Sequence, residues 1–323
     1  MVMWASLRAS RRSARLWALC LDDFAMAALC AVPVPGVTPL RLSDLEAWDP
    51  ELARARGTRS LYEYYFTLSP VLPLYLLEKE PGIDRLTYVD ADLWFFGEPG
   101  PLYEEMGDAS VSIVPHRFSP GLEHLREFGV YNVGWLTFRR DARSLQVLRW
   151  WRERCLEWCG DSPRNGLFAD QAYLNDWPER FEGVHVLGHP GANVGPWNVG
   201  QHELSRGGGV VRVDRTPVLF FHFSGIRSVA GTLVWWARLE SYNLEMSAKL
   251  FRWIYAPYLR ALSRAERYWA ARTSRAAGAE PSGPRGRPVL SPRNVLGWLL
   301  SGKAMTPWVH RSMLAGPRGH VGP

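Results

Sequence analysis

The sequence predicts an α/β fold with a mostly parallel central sheet, and three observations carry that prediction. Apolar runs of strand length alternate with longer stretches of helical periodicity, which is the rhythm of strands covered by helices on both faces. Polar residues sit at the ends of several apolar runs, where ligands of open α/β sheets bind. The chain has 323 residues, 47% of them hydrophobic, enough for one large domain with a real core.

In chain order, "ASLRASRRSAR" reads as a basic helix and "LWALCL" as a short buried strand. The basic start followed by an apolar run imitates a secretory signal, but Asp22 and Asp23 interrupt it, and the helical "DFAMAALCA" follows. "VTPLRL" reads as a second strand, and the segment from Leu42 to Gly82 as helices punctuated by Pro70 and Pro73. "RLTYVDADLWFF", "ASVSIVPHR" and "YNVGWLTFRR" read as strands. "ARSLQVLRWWRERCLEWC" reads as an amphipathic helix whose Trp150 and Trp151 belong to the core. After "FADQAYLNDW", a helix start in a polar loop, come the strands "GVHVLG" and "PVLFFHFSG" and a closing helix from about Leu233. From Ala276 the Pro- and Gly-rich "AGAEPSGPRGRP" marks a linker, and "LSPRNVLGWLLSGKAM" a short amphipathic helix.

Charge is uneven. Residues 251–323 hold twelve Arg or Lys against Glu266 and Glu280, a net of +10, which leaves −4 for the rest of a chain whose total is +6. A basic tail with four tryptophans suits an anionic membrane surface, and equally a solvated tail. No stretch reaches the roughly 18 apolar residues of a membrane span, and no reader motif for nucleic acid accompanies the basic residues. The expected location is the cytoplasm, with peripheral association at the inner membrane face through the tail. Cys20, Cys30, Cys155 and Cys159 do not form the dense framework of a small secreted protein, so reduced thiols are expected. Cys155 and Cys159 share a helix face without a third ligand, which favours packing over zinc.

Asp90 and Asp92 end an apolar run. Two residues apart on a strand, their side chains share one face and can converge on a hard cation such as Mn²⁺ or Mg²⁺. The competing reading is a turn capped by Asp90, but carboxylates between "LTYV" and "LWFFG" would be costly without a compensating charge. His222 repeats the pattern at the end of "VLFF": a third ligand, or a core histidine with a hydrogen bond. Asp170 reads as a helix cap or as a residue facing the site.

Together "TYVDADLWFF", "YNVGWLTF", "FADQAYLNDW" and "HFSG", in this order, resemble the nucleotide-diphospho-sugar glycosyltransferases of the GT-A fold, in particular the glycogenin and lipopolysaccharide galactosyltransferase group. The resemblance covers residues 5 to about 250, leaving 251–323 as a basic helical and Pro/Gly-rich extension. It implies that Asp90, Asp92 and His222 hold Mn²⁺ or Mg²⁺ against the donor diphosphate. Asn132 and Gly134 would line the sugar pocket, and Asp170 and Gln171 would contact the donor sugar at the reacting face. It further implies transfer, with retention of configuration, from a nucleotide-diphosphate sugar, UDP-sugars favoured, to a carbohydrate or lipid-linked acceptor.

By the same resemblance Arg59, Glu63 and Tyr64 would line the nucleotide side, although i,i+4 pairing on an ordinary helix explains them nearly as well. Gly225 would let the backbone approach the ligand, and Arg227 would grip a phosphate. Where the group has a lysine, Ser228 stands, and Arg227 precedes it. The group begins with a strand ahead of "ASLRASRRSAR", where only Met1 to Trp4 stand, so the first strand is expected to be missing. The alternative function is a non-catalytic binding or scaffold protein with an impaired donor site. Weaker candidates are His116 and Arg117, for phosphate or acceptor, and Asn193, Trp197 and Asn198, for sugar. An aspartate-based phosphatase is disfavoured because Trp94 stands where that chemistry wants Thr or Val.

Overall fold

A computed structural model describes residues 1–10, 14–228, 234–276 and 309–310. The chain forms two compact units, Met1–His222 and Phe223–Pro323. The linker and short helix expected after Ala276 lie outside the described residues.

The first unit opens with α1 (Val2–Ser10), β1 (Leu16–Cys20), α2 (Asp23–Ala31) and β2 (Val37–Arg41). Asp22, one of the two carboxylates that interrupt the apolar run, caps α2 by accepting from the Ala25 amide at 2.6 Å. Strands β1 and β2 pair in parallel, with Pro39 tolerated because β2 is an edge strand. Next come α3 (Leu42–Trp48), α4 (Pro50–Arg56) and the long α5 (Leu61–Lys79), which starts with a Ser60–Glu63 capping box. The expected breaks at Pro70 and Pro73 do not occur: α5 runs through both, and both are buried. An interior proline costs about 3 kcal/mol, and here the burial of Val71, Leu74 and Leu77 in two core clusters outweighs it.

Strand β3 (Arg85–Val89), β4 (Leu93–Phe95), α6 (Gly100–Met106), β5 (Val111–Pro115) and β6 (Tyr131–Arg139) follow, then α7 (Ala142–Glu157), α8 (Trp177–Arg180) and β7 (Val184–Val186). The central sheet has the order β3-β6-β5-β7. It is mixed rather than mostly parallel: β6 runs antiparallel to both neighbours, and only β5 and β7 pair in parallel. The reason is the β5–β6 connection, residues 116–130, which holds only a short 3₁₀ turn and so returns the chain antiparallel rather than crossing over. Its core joins sheet and helices through Ile113, Leu136, Phe138, Trp151 and Trp177.

Strands β1 and β3 each end a sheet, and the two sheets are separate. A small cleft lies between them, walled by Leu16 and Trp17 on one side and Leu86, Thr87 and Tyr88 on the other, with Leu72, Pro73 and Leu76 of α5 beneath. Strand β1, expected to be buried, is accordingly half-exposed over four of its five residues.

The unit closes with β8 (Leu204–Gly207), β9 (Val210–Val213), β10 (Thr216–Pro217) and β11 (Phe220–His222). The second unit contains β12 (Arg227–Ser228), β13 (Val234–Trp236), α9 (Ala248–Leu250), a π-helical turn at Phe251–Tyr255, α10 (Ala256–Ala276) and β14 (Val309–His310). A strand, Val234–Trp236, and a 3₁₀ turn, Leu239–Tyr242, thus stand where a closing helix was expected from Leu233, and α-helix starts only at Ala248. Phe223 stacks on Tyr258 at 3.8 Å and meets Tyr255 edge-on, anchoring α10.

Candidate functional site

Asp90 and Asp92 converge through a turn, not along a continuous strand. Strand β3 ends at Val89, the Leu93 amide closes a turn on the Asp90 carbonyl at 3.4 Å, and β4 starts a different sheet. Two contacts aim the turn. The Asp90 amide donates to the Gly134 carbonyl of β6 at 3.2 Å. Strand β4 pairs antiparallel with β11, which sets His222 opposite Leu93 and so next to Asp92.

The ligand atoms of Asp90, Asp92 and His222 lie within 4.8 Å of one another. His222 Nε2 is 3.0 Å from Asp92 Oδ1 and 3.7 Å from Asp90 Oδ2. The imidazole is buried, while Asp92 keeps 41% of its side-chain surface open, so the cluster is enclosed from the protein side and accessible from the other. Burial pushes Asp90 up to about 6, with the Asp92 charge adding to it against the pull of His222. Burial also acts on Asp92 and His222, but their mutual attraction outweighs it, holding Asp92 below and His222 above their ordinary values. Two carboxylates and one imidazole, unable to neutralise each other fully, fit a divalent cation that accepts oxygen ligands and one nitrogen.

The expected sugar-lining residues lie behind the imidazole. Asn132 is buried on β6; its Oδ1 accepts from the Gly134 amide at 2.6 Å and its Nδ2 faces His116 Nε2 at 2.9 Å. A Cβ on Gly134 would lie 2.7 Å from His222 Cε1 and 2.6 Å from Asn132 Oδ1, so only glycine lets the imidazole lie against the strand. His116 stacks on Phe118, and the Trp197 ring stands edge-on to both His116 and His222 at 5.1 and 5.2 Å. Burial pushes His116 down to about 3. Asn198 Nδ2 donates to the carbonyls of His116 and Asn193, Asn193 Nδ2 to Pro115, and the Arg117 guanidinium to Ala192 and Leu187. These contacts tie the loops of residues 116–118 and 192–198 together.

Asp170 comes close to the carboxylate pair. It is buried, burial pushes it up to about 7, and the charge of Asp90 adds to the shift. It does not cap a helix; the 3₁₀ turn at Ala172–Asp176 has Gln171 at its cap position. The Trp151 indole donates to the Asp170 carbonyl at 2.8 Å, fixing this loop to α7. The Gln171 amide is turned onto the Phe128 carbonyl at 2.7 Å, against Gly129. Arg59 donates to Thr67 Oγ1 and to the Leu156 carbonyl, bridging α5 to the end of α7. Glu63 is occupied by the capping box, and Tyr64 donates to Glu46 at 2.7 Å. Gly225, in a turn at φ 78°, and Arg227, opening β12, belong to the second unit.

Sequence reasoning missed two residues. The Tyr88 hydroxyl lies 3.4 Å from Ser69 Oγ. Against the burial that raises each carboxyl, Tyr88 acts to lower Asp90 and Ser69 to lower Asp170. The available signal was Ser69 itself, a polar residue in the apolar middle of a helix. The four cysteines are free thiols, and Cys155 and Cys159 are both buried in the core.

A mixed α/β unit that gathers two aspartates and a histidine where β3, at the edge of the central sheet, passes into β4 defines the class. No family model matches the sequence. The chain is 34% identical over 256 residues to the uncharacterized protein YfnD of Bacillus subtilis (strain 168), covering 77% of this chain and 79% of that one. It is 34% identical over 236 residues to YfnF of the same organism, covering 71% and 77%. It belongs to the family of these two proteins. Similar solved structures include the galactosyltransferase LgtC in complex with donor and acceptor sugar analogs, at TM-score 0.48 and 16% identity over 88% of this chain and 94% of that one. Mouse xyloside xylosyltransferase 1 in its apo form gives 0.43 and 16% over 70% and 93%. Among the described residues no helix is long and apolar enough to cross a membrane.

Proposed function

We propose that this protein is a metal-dependent glycosyltransferase of the GT-A type that moves a sugar from a nucleotide-diphosphate donor, UDP-sugars favoured, to a carbohydrate or lipid-linked acceptor with retention of configuration. The observation that carries the reading is the Asp90, Asp92 and His222 cluster, open to solvent on one side. The resemblance of the four sequence motifs supplies the donor class.

In this reading Asp90, Asp92 and His222 hold Mn²⁺ or Mg²⁺. The cation, when bound, neutralises the donor diphosphate and the charge that develops on the departing nucleotide. Asp170 and Gln171 stand on the sugar side, and Tyr88 and Ser69 favour the ionised forms of Asp90 and Asp170 against their burial. Arg59, packed between α5 and α7, steadies the wall of the donor side.

The test is nucleoside diphosphate release from a panel of nucleotide sugars, with Mn²⁺ and with EDTA. Release is expected to require the cation and to vanish in Asp92→Ala, with the melting temperature of the variant unchanged. A folded full-length protein that binds neither Mn²⁺ nor any nucleoside diphosphate in calorimetric titration sinks the reading and favours a scaffold.

A further inference from the structure

A histidine that ligates a metal through one ring nitrogen ordinarily donates its other N–H to a fixed acceptor, which sets the tautomer and the ring orientation. In His222, Nε2 faces the aspartates, and buried Nδ1 has no hydrogen-bond partner among the described residues. Oδ1 of Asn132 lies in the same notch. Both atoms crowd the point where a Cβ of residue 134 would stand, at 2.8 Å for His222 Nδ1 and 2.6 Å for Asn132 Oδ1.

The orientation of the Asn132 amide is fixed by its own partners. Oδ1 accepts from the Gly134 amide at 2.6 Å, a bond that only the oxygen can make, so the NH₂ group points at His116 Nε2, 2.9 Å away. His116 Nε2 must then be an acceptor, which places the single proton of this ring on Nδ1, directed at the Val130 carbonyl at 3.3 Å. His116 in turn is clamped between the Phe118 ring and the edge of Trp197, with Asn198 on its carbonyl. A chain of defined donors and acceptors thus runs from Val130 through His116 and Asn132 to the notch that holds His222.

We propose that His116 and Asn132 are positioning residues for the cation ligand His222: His116 locks the Asn132 amide, and Asn132 Oδ1 accepts a hydrogen bond from the Nδ1–H of His222 when Nε2 turns to the cation. This rests on the metal-site reading above, but it assigns His116 and Asn132 to the support of the ligand rather than to contact with sugar or phosphate.

The experiment measures Mn²⁺ binding to the full-length protein, without nucleotide, from the electron paramagnetic resonance signal of free Mn²⁺. His116→Phe keeps a flat ring but removes both hydrogen bonds, while His116→Gln can restore one acceptor and one donor. Loss of an outer support typically costs 10–100-fold in metal affinity. The expected result is a loss of about tenfold or more for His116→Phe and for Asn132→Ala, with most of the affinity recovered in His116→Gln. Mn²⁺ binding by His116→Phe equal to that of the unmodified protein overturns the positioning role and leaves the metal site standing. No binding by the unmodified protein overturns the metal site itself. Should His116→Phe fail to fold, long-range ¹H–¹⁵N correlation on the unmodified protein decides. His116 protonated on Nδ1 alone at neutral pH supports the chain of bonds, and a proton on Nε2 refutes it.

Discussion

Gly134 is where the backbone yields to the site. A methyl group there would overlap the His222 ring and the Asn132 oxygen, both within 2.8 Å of the Cβ position. Overpacking of this kind costs about 1–3 kcal/mol. Gly134→Ala is therefore expected to lower Mn²⁺ affinity more than it lowers the melting temperature, because the mobile partner is the ligand ring; equal affinity in the variant would show that the ring has room to retreat. Asp170 gives a pH test. Its carboxyl titrates near 3.9 in an unfolded chain and at about 7 when folded. Between those values the native state binds more protons, so this residue makes the metal-free protein less stable as pH rises from about 4 to about 7, by an amount on the order of a few kcal/mol. Asp170→Asn should flatten that slope and melt higher than the unmodified protein at pH 8; a parallel pair of profiles would rule out burial of the carboxyl. Asp90, Asp92 and His222 were legible in the sequence because each is a polar residue at the end of an apolar run. The pairing of Asn132 with His116 was not, because it depends on how β5 and β6 align across a register shift between Ile113 and Val114.

At the scale of elements, the alternation of strands and helices was readable and their directions were not. The short apolar runs of β5 and β6 look alike in parallel and antiparallel sheets when both faces are buried, as they are here. The continuity of α5 through Pro70 and Pro73 was illegible for a similar reason: local preference favours a break, and only burial of the helix in two clusters overrides it. Asp49 shows how the helices are held. Its Oδ1 caps α4 by accepting from the amides of Glu51 and Leu52, both at 3.2 Å, while the Arg152 guanidinium of α7 grips both carboxylate oxygens at 2.5 and 2.6 Å. Asp49 is 3% exposed, so Asp49→Ala removes a cap and leaves the Arg152 charge with Glu51 alone. The expected cost is about 3 kcal/mol, read from urea unfolding. Asp49→Asn, which keeps an oxygen for the cap, should cost less, and a loss below about 1 kcal/mol in the alanine variant would make the pair a surface ornament.

At the scale of the whole molecule, the sheets of the first unit differ in security, and the site joins the end of β3 in the four-stranded sheet to the β4–β11 pair. Asp90 follows β3, and Asn132 and Gly134 lie on β6, both in the four-stranded sheet whose middle strand has seven consecutive buried residues. Strands β1 and β2 form a pair of their own, half-exposed along β1 and bordering the cleft beside β3. Parallel strands normally lie buried in larger sheets, and a two-stranded ribbon is marginal by itself. Local openings with few buried contacts release amide protons well before global unfolding does. Native-state hydrogen exchange is therefore expected to rank the unit in two tiers. Amides of β5 and β6 should exchange only through global unfolding. Those of β1 and β2 should exchange through a smaller opening that leaves the Mn²⁺ affinity of the protein intact. A single common protection for all four strands would mean that α5, which packs beneath the cleft, couples the two sheets into one cooperative body, and the cleft would then be rigid.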